Sequence, residues 1–194
     1  EFFKFKPEVP TIFIVGGSLG AKFINEVIMD SLPELVTKYQ VIHQTGKANI
    51  AVIQETSQVV LHESLHKDRY VALPYLNSLT MRMAAGIADI VISRAGSAIF
   101  EIAAWGKPSI IIPIPETTSH DQRTNAYSYA RSGASIVIEE KNLSSGVLSS
   151  EIERILSNPE VKQKMAENAK NFARLDSAKI IAEELIAIGL EHEK

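Results

Sequence analysis

Thr11-Ile12-Phe13-Ile14-Val15 runs directly into Gly16-Gly17-Ser18-Leu19-Gly20-Ala21. A short, continuous apolar run rich in β-branched residues reads as a strand buried on both faces. The glycines and serine behind it read as a tight turn that opens a helix. Such a turn leaves backbone N–H groups unpaired at the helix start, where the dipole also favours an anion. The pattern recurs once: Asp89-Ile90-Val91-Ile92 leads into Ser93-Arg94-Ala95-Gly96-Ser97, with Glu101 about one helical turn later. One such turn is common in α/β proteins. Two that converge make a site for a diphosphate-linked ligand.

Outward from these turns, strand-like runs at 11–15, 40–44, 69–73, 89–92, 108–112 and 134–138 alternate with segments of helical period. Ala126, Tyr129 and Ala130 form one apolar stripe, and Leu148, Ile152, Ile155 and Leu156 another. Ile181, Leu185 and Ile188 repeat the spacing near the end and are expected to pack on the core. Regular strand–helix alternation predicts an α/β fold, a doubly wound six-stranded parallel sheet of Rossmann-like type with right-handed crossovers. Pro108 opens a strand and Pro113 closes it, where a missing N–H is harmless. After Asn142 the strands stop and two or three helices follow, with Asn158-Pro159 separating the first from the next. In strand order 3-2-1-4-5-6, strands 1 and 4 are neighbours and their carboxyl ends flank the crevice where the order reverses. The two Gly/Ser turns then face each other.

Composition bounds the function. The 194 residues suffice for one domain with a continuous core, and 45% apolar content excludes a disordered chain. A net charge of −3 without a long basic run argues against nucleic acid as a partner. The sequence contains no cysteine, which removes disulfides, thiolate metal sites and thiol nucleophiles. No apolar stretch is long enough to span a bilayer. The segment Glu1-Phe2-Phe3-Lys4-Phe5-Lys6-Pro7 is too short and polar for a signal peptide. Residues 1–9 are expected to be a linker remnant, and 10–194 one domain with its terminal helices from about 144.

The motifs narrow the ligand. No Gly-x4-Gly-Lys-Ser/Thr loop occurs, and the first turn departs from Gly-x-Gly-x-x-Gly. The second strand ends in His43-Gln44-Thr45-Gly46, with no acid to hold an adenine-side ribose, which disfavours NAD. Glu101 offers a bidentate acceptor for the two hydroxyls of a ribose, against the plainer role of complementing a helix N-terminus. Residues 113–126 form a long polar loop at the same sheet edge, with Gln122 and Asn125 opening the next helix; their amides can cap it or bond sugar hydroxyls. His120 lies in that loop, and His43 reads as a satisfied structural residue. With no Asp-x-Asp and no metal-ligand spacing, a bound diphosphate would be neutralised by N–H donors and helix dipoles; no metal and no cofactor are expected.

In order, Gly16-Gly17-Ser18-Leu19-Gly20-Ala21 with Asn25, His43-Gln44-Thr45-Gly46, Ala88-Asp89 and Ser93-Arg94-Ala95-Gly96 are followed by Glu101, Gly106-Lys107-Pro108, Pro113 and Gln122-x-x-Asn125-Ala126. This series resembles the C-terminal half of the MurG family of bacterial UDP-N-acetylglucosamine transferases, over roughly residues 10–190. The resemblance implies the donor half of a glycosyltransferase-B fold, with UDP-GlcNAc as the donor substrate. A separate N-terminal domain would bind the lipid I acceptor at the membrane and supply the base, so no catalytic residue is expected here. It further implies that Gly17, Ser18 and flanking amides contact the diphosphate, and that Gly96, Ser97 and Ala98 bring N–H groups to its α-phosphate side. Glu101 would hold the ribose, Leu76 would lie beside the uracil, and Gln122 would take the sugar hydroxyls; Arg94 and Asn125 complete the expected substrate-binding set. The implied product is lipid II, made on the cytoplasmic face of the plasma membrane by a peripheral enzyme. Two spacings differ from the family's usual ones: Arg94-Ala95-Gly96 reaches Glu101 one residue early, and Leu76 to Asp89 is about two residues longer. The rival readings are a stand-alone donor subunit of a split lipid-linked N-acetylglucosaminyltransferase and a UDP-sugar sensor or epimerase-type domain.

Overall fold

The computed structural model describes residues 2–16, 21–115 and 120–191. Six parallel strands form a single sheet: β1 (Thr11–Val15), β2 (Gln40–Gln44), β3 (Tyr70–Leu73), β4 (Ile90–Ser93), β5 (Ser109–Ile111) and β6 (Ser135–Val137). Their order is β3-β2-β1-β4-β5-β6, as the alternating pattern predicts. The register places Ile12 opposite Val41 on one side and Ile90 on the other. All five residues of β1 are buried, because a central parallel strand is covered on both faces.

Helices α1 (Lys22–Lys38), α2 (Ile50–Val60), α3 (Ser78–Ile87), α4 (Ala98–Trp105) and α5 (His120–Arg131) connect the strands. They divide the core in two. Ile12, Ile14, Ile90 and Ile92 face one layer with Ile24, Ile28 and Leu32 of α1. Phe13, Val15 and Val91 face the other with Ile99, Ile102 and Tyr129. The period-2 alternation of each strand therefore feeds two separate apolar layers.

The sheet is followed by α6 (Ser145–Leu156), α7 (Pro159–Phe172) and α8 (Ser177–Glu191). Leu148, Ile152 and Ile155 of α6 are buried as their stripe predicts. Asn158 caps α7 by accepting from Glu160 N–H at 3.1 Å and Val161 N–H at 3.2 Å, with Pro159 in the first turn. The expectation for α8 is not met. Ile181, Leu185 and Ile188 are 59%, 65% and 52% exposed. Helical spacing gathers apolar residues on one face but does not supply the surface that covers it.

The stretch before Pro10, expected as a linker remnant, packs on the domain. Phe3 is buried in the second core layer, and Gln40 Nε2 donates to the carbonyls of Lys6 (3.0 Å) and Val9 (2.8 Å).

Candidate functional site

The carboxyl ends of β1, β2 and β3 and the amino end of α4 enclose a cleft of about 510 Å³. Val15 and Gln44 form its floor. Tyr75 and Leu76, just beyond β3, line it with Met81 and Arg82 of α3, and Ser97, Ala98, Glu101 and Trp105 complete it from the α4 side. The crevice lies where strand order reverses between β1 and β4, as that topology requires.

Four residues named from the sequence meet here: Leu76, Ser97, Ala98 and Glu101. Leu76 is buried, while Glu101 is exposed in the first turn of α4. The Glu101 carboxylate has no ion pair or hydrogen bond among the described residues. The N–H groups of Gly96, Ser97 and Ala98 likewise have no partner there; the first bonds of this turn are Ile99 N–H to Gly96 C=O (3.2 Å) and Phe100 N–H to Ser97 C=O (3.1 Å). These are the orphan donors that make a helix start attractive to anions. The altered spacings on either side of the cleft leave Glu101 and Leu76 on the same wall-to-wall space.

Gln122 and Asn125 are brought up to the β4–α4 turn. A Cβ added to Gly96 would lie 3.9 Å from Gln122 Nε2. Gln122 Oε1 accepts from Ile114 N–H (3.3 Å), and Asn125 Nδ2 donates to Ala95 C=O (3.4 Å). The two amides thus fasten the start of α5 to both neighbouring turns. Gly17 and Ser18 lie outside the described residues, as do 116–119 of the polar loop and the side chain of His120.

Arg94, named from the sequence for the substrate-binding set, is held by protein partners. Its guanidinium donates to the carbonyls of Ile112 and Pro113 (both 3.3 Å) and pairs with Glu140 in the 140–142 turn. Those partners lie beyond β5 and β6, so the side chain ties three connections together and does not line the cleft.

Sequence reasoning missed Gln44, Arg82 and Trp105. Gln44 belongs to the His43-Gln44-Thr45-Gly46 motif, whose sequence gives its side chain no role in the cleft. Arg82 and Trp105 carry no local signal, because their place in the cleft comes from where α3 and α4 dock. Lys47 at the rim has its ammonium 5.6 Å from the centre of the Tyr75 ring, adding positive charge near the opening.

Comparison with known proteins agrees with this fold. The chain is 39% identical over 172 residues to the UDP-N-acetylglucosamine--N-acetylmuramyl-(pentapeptide) pyrophosphoryl-undecaprenol N-acetylglucosamine transferase of Clostridium novyi, covering 87% of this chain and 44% of that protein. The chain spans about half the length of the curated relatives it matches. The crystal structure of Acinetobacter baumannii MurG superposes with a TM-score of 0.77 at 26% identity, over 93% of this chain and 50% of that one. A putative UDP-N-acetylglucosamine 2-epimerase from Listeria monocytogenes shares the fold, with a TM-score of 0.71 at 16% identity over 95% of this chain and 46% of that one. Residues 11–181 match the glycosyltransferase family 28 C-terminal domain, and the chain belongs to that family.

Proposed function

We propose that this domain is the donor-binding half of an inverting, metal-independent N-acetylglucosaminyltransferase that carries lipid I to lipid II in peptidoglycan synthesis. The donor is UDP-GlcNAc. The observation that carries the reading is the cleft that Glu101 and apolar Leu76 both line, beside the N–H groups of Gly96, Ser97 and Ala98; among the described residues neither the carboxylate nor these N–H groups has a partner. An acceptor-only carboxylate suits a ribose diol, an apolar wall suits a pyrimidine, and fixed N–H donors suit a diphosphate.

In the reaction, an acceptor hydroxyl attacks the anomeric carbon with inversion, a base takes its proton, and the bond to the diphosphate oxygen breaks to release UDP. The residues here stabilise the negative charge that develops on the leaving diphosphate, using donors already oriented before the step. They also hold the sugar for in-line attack, with Gln122 and Asn125 beside the β4–α4 turn. The acceptor and the base belong to an N-terminal domain that meets the membrane from the cytoplasmic side; among the described residues no helix is long and apolar enough to cross one.

Calorimetric titration with UDP tests the site. Binding in the micromolar to millimolar range is expected, and no heat at millimolar UDP overturns the assignment. Glu101→Ala is expected to weaken UDP by ~1–3 kcal/mol through loss of charge-assisted hydrogen bonds. Unchanged affinity removes Glu101 from the ribose.

A further inference from the structure

Gln44 ends β2 on the floor of the cleft, and the donor-site reading gives its side chain no task. It is 2% exposed, and its Oε1 has no hydrogen-bond partner among the described residues. Its main chain is fixed: the Gln44 carbonyl accepts from Gly16 N–H at 3.2 Å, and the strand is paired on both sides. The neighbours on either side are satisfied. His43 bonds through both ring nitrogens, and Thr45 Oγ1 donates to Gly46 C=O at 3.2 Å. A buried amide oxygen without a partner destabilises an empty fold, and one placed at the floor of a cleft calls for a partner that arrives with the ligand.

Position along the sheet edge says which part of the ligand that is. Gln44 lies one strand from the β3 connection that carries Leu76, and two strands from β4, whose following turn and helix carry the free N–H groups and Glu101. The cleft that Gln44 helps floor has apolar walls from Leu76, Tyr75 and Met81, with Trp105 contributed by α4. Apolar walls accept the faces of a flat ring, and its polar edge then needs a hydrogen-bonding group at the floor. Among the described residues no hydrogen bond holds Gln44 Oε1, so the amide can turn to present N–H or C=O, matching the alternating carbonyl and imide groups of a pyrimidinedione edge. We propose that the Gln44 side-chain amide hydrogen-bonds the edge of the nucleotide's pyrimidine base. The proposal rests on the nucleotide-binding reading above and adds a base-binding residue to it.

Gln44→Met keeps the length and removes the hydrogen-bonding atoms. Calorimetry with UDP, and NMR titrations with uridine and with ribose 5-phosphate, separate base from sugar and phosphate. UDP and uridine are expected to bind on the order of tenfold more weakly, and ribose 5-phosphate as in the wild type. The melting temperature should stay or rise, because an unpaired buried oxygen has been removed. Equal weakening of uridine and ribose 5-phosphate, unchanged uridine affinity, or a midpoint lowered by several degrees each overturns the proposal. A readout independent of the variant is the Gln44 Nε2–H signal of the wild-type protein. It should shift on saturation with uridine and stay in place with ribose 5-phosphate; a shift with both, or with neither, overturns the assignment. If the wild type binds no UDP, the nucleotide reading itself has failed. If it binds UDP and the Gln44 readouts do not move, only the base contact has failed.

Discussion

His43 is fully buried between two neutral partners, and counting donors fixes its tautomer. Asn25 Nδ2 donates to Thr45 C=O at 3.0 Å, so Asn25 Oδ1 is the acceptor facing His43 Nε2 at 2.9 Å. Nε2 therefore carries the proton, and Nδ1 accepts from the Tyr70 hydroxyl at 2.9 Å. This chain joins β3, β2, the first turn of α1 and the turn after β2. Burial pushes the imidazole down to about 3 and the Tyr70 phenol well above its ordinary range. Because the folded value lies below the unfolded one near 6.5, the contribution is full above pH 6.5 and is lost as pH falls toward 3. Urea denaturation across that window should show a loss on the order of 4 kcal/mol from this group, and His43→Gln should flatten that part of the curve. An unchanged slope in the variant removes His43 as the titrating group. Arg94 yields a second test at this scale. Arg94→Ala should lower stability by ~1–3 kcal/mol, since it strands Glu140 and two carbonyls, while the folded variant keeps UDP affinity within about threefold. A large loss of affinity would return Arg94 to the ligand.

At the scale of elements, the cleft depends on how helices are started and stopped. Helix α4 ends at Gly106 in the left-handed region, φ 63°, where the glycine N–H caps the carbonyl of Ala103 at 2.9 Å. A Cβ there would also come within 2.6 Å of Lys170 Cγ on α7. Gly106→Ala should therefore cost about 1 kcal/mol or more, read as a lower thermal midpoint. Asp89 works from the opposite side of the sheet. Its carboxylate accepts from Thr11 N–H at 2.8 Å and pairs with Lys162 of α7, anchoring the starts of β1 and β4 to that helix. The six strands were legible because each central strand had to be apolar on both faces. Asn158-Pro159 was legible because capping chemistry is local. Arg94 was not: its acceptors lie 18 and 19 residues away, and no spacing rule connects them.

At the scale of the whole molecule, α8 has no burial partner among the described residues. Every described side chain of α8 is exposed, so the helix adds no core to the sheet domain. Ending the chain after Asp176 is expected to leave the unfolding free energy within about 1 kcal/mol, since none of the described side chains removed is buried. The intact chain should associate as concentration rises, because Ile181, Leu185 and Ile188 expose a contiguous apolar stripe, and the shortened one should stay monomeric. Sedimentation velocity over a concentration series distinguishes the two. The sequence by itself determined the strand set, the parallel order and the turn after β4, because those follow from local periodicity and backbone chemistry. Tertiary structure alone decided that Gln44 shares a cleft with Leu76 and that its Oε1 has no partner among the described residues, that Arg94 pairs with Glu140, and that the described α8 stripe is uncovered. Each of these depends on which distant surface arrives beside a side chain, and that is a property of the packed sheet, not of neighbours along the chain.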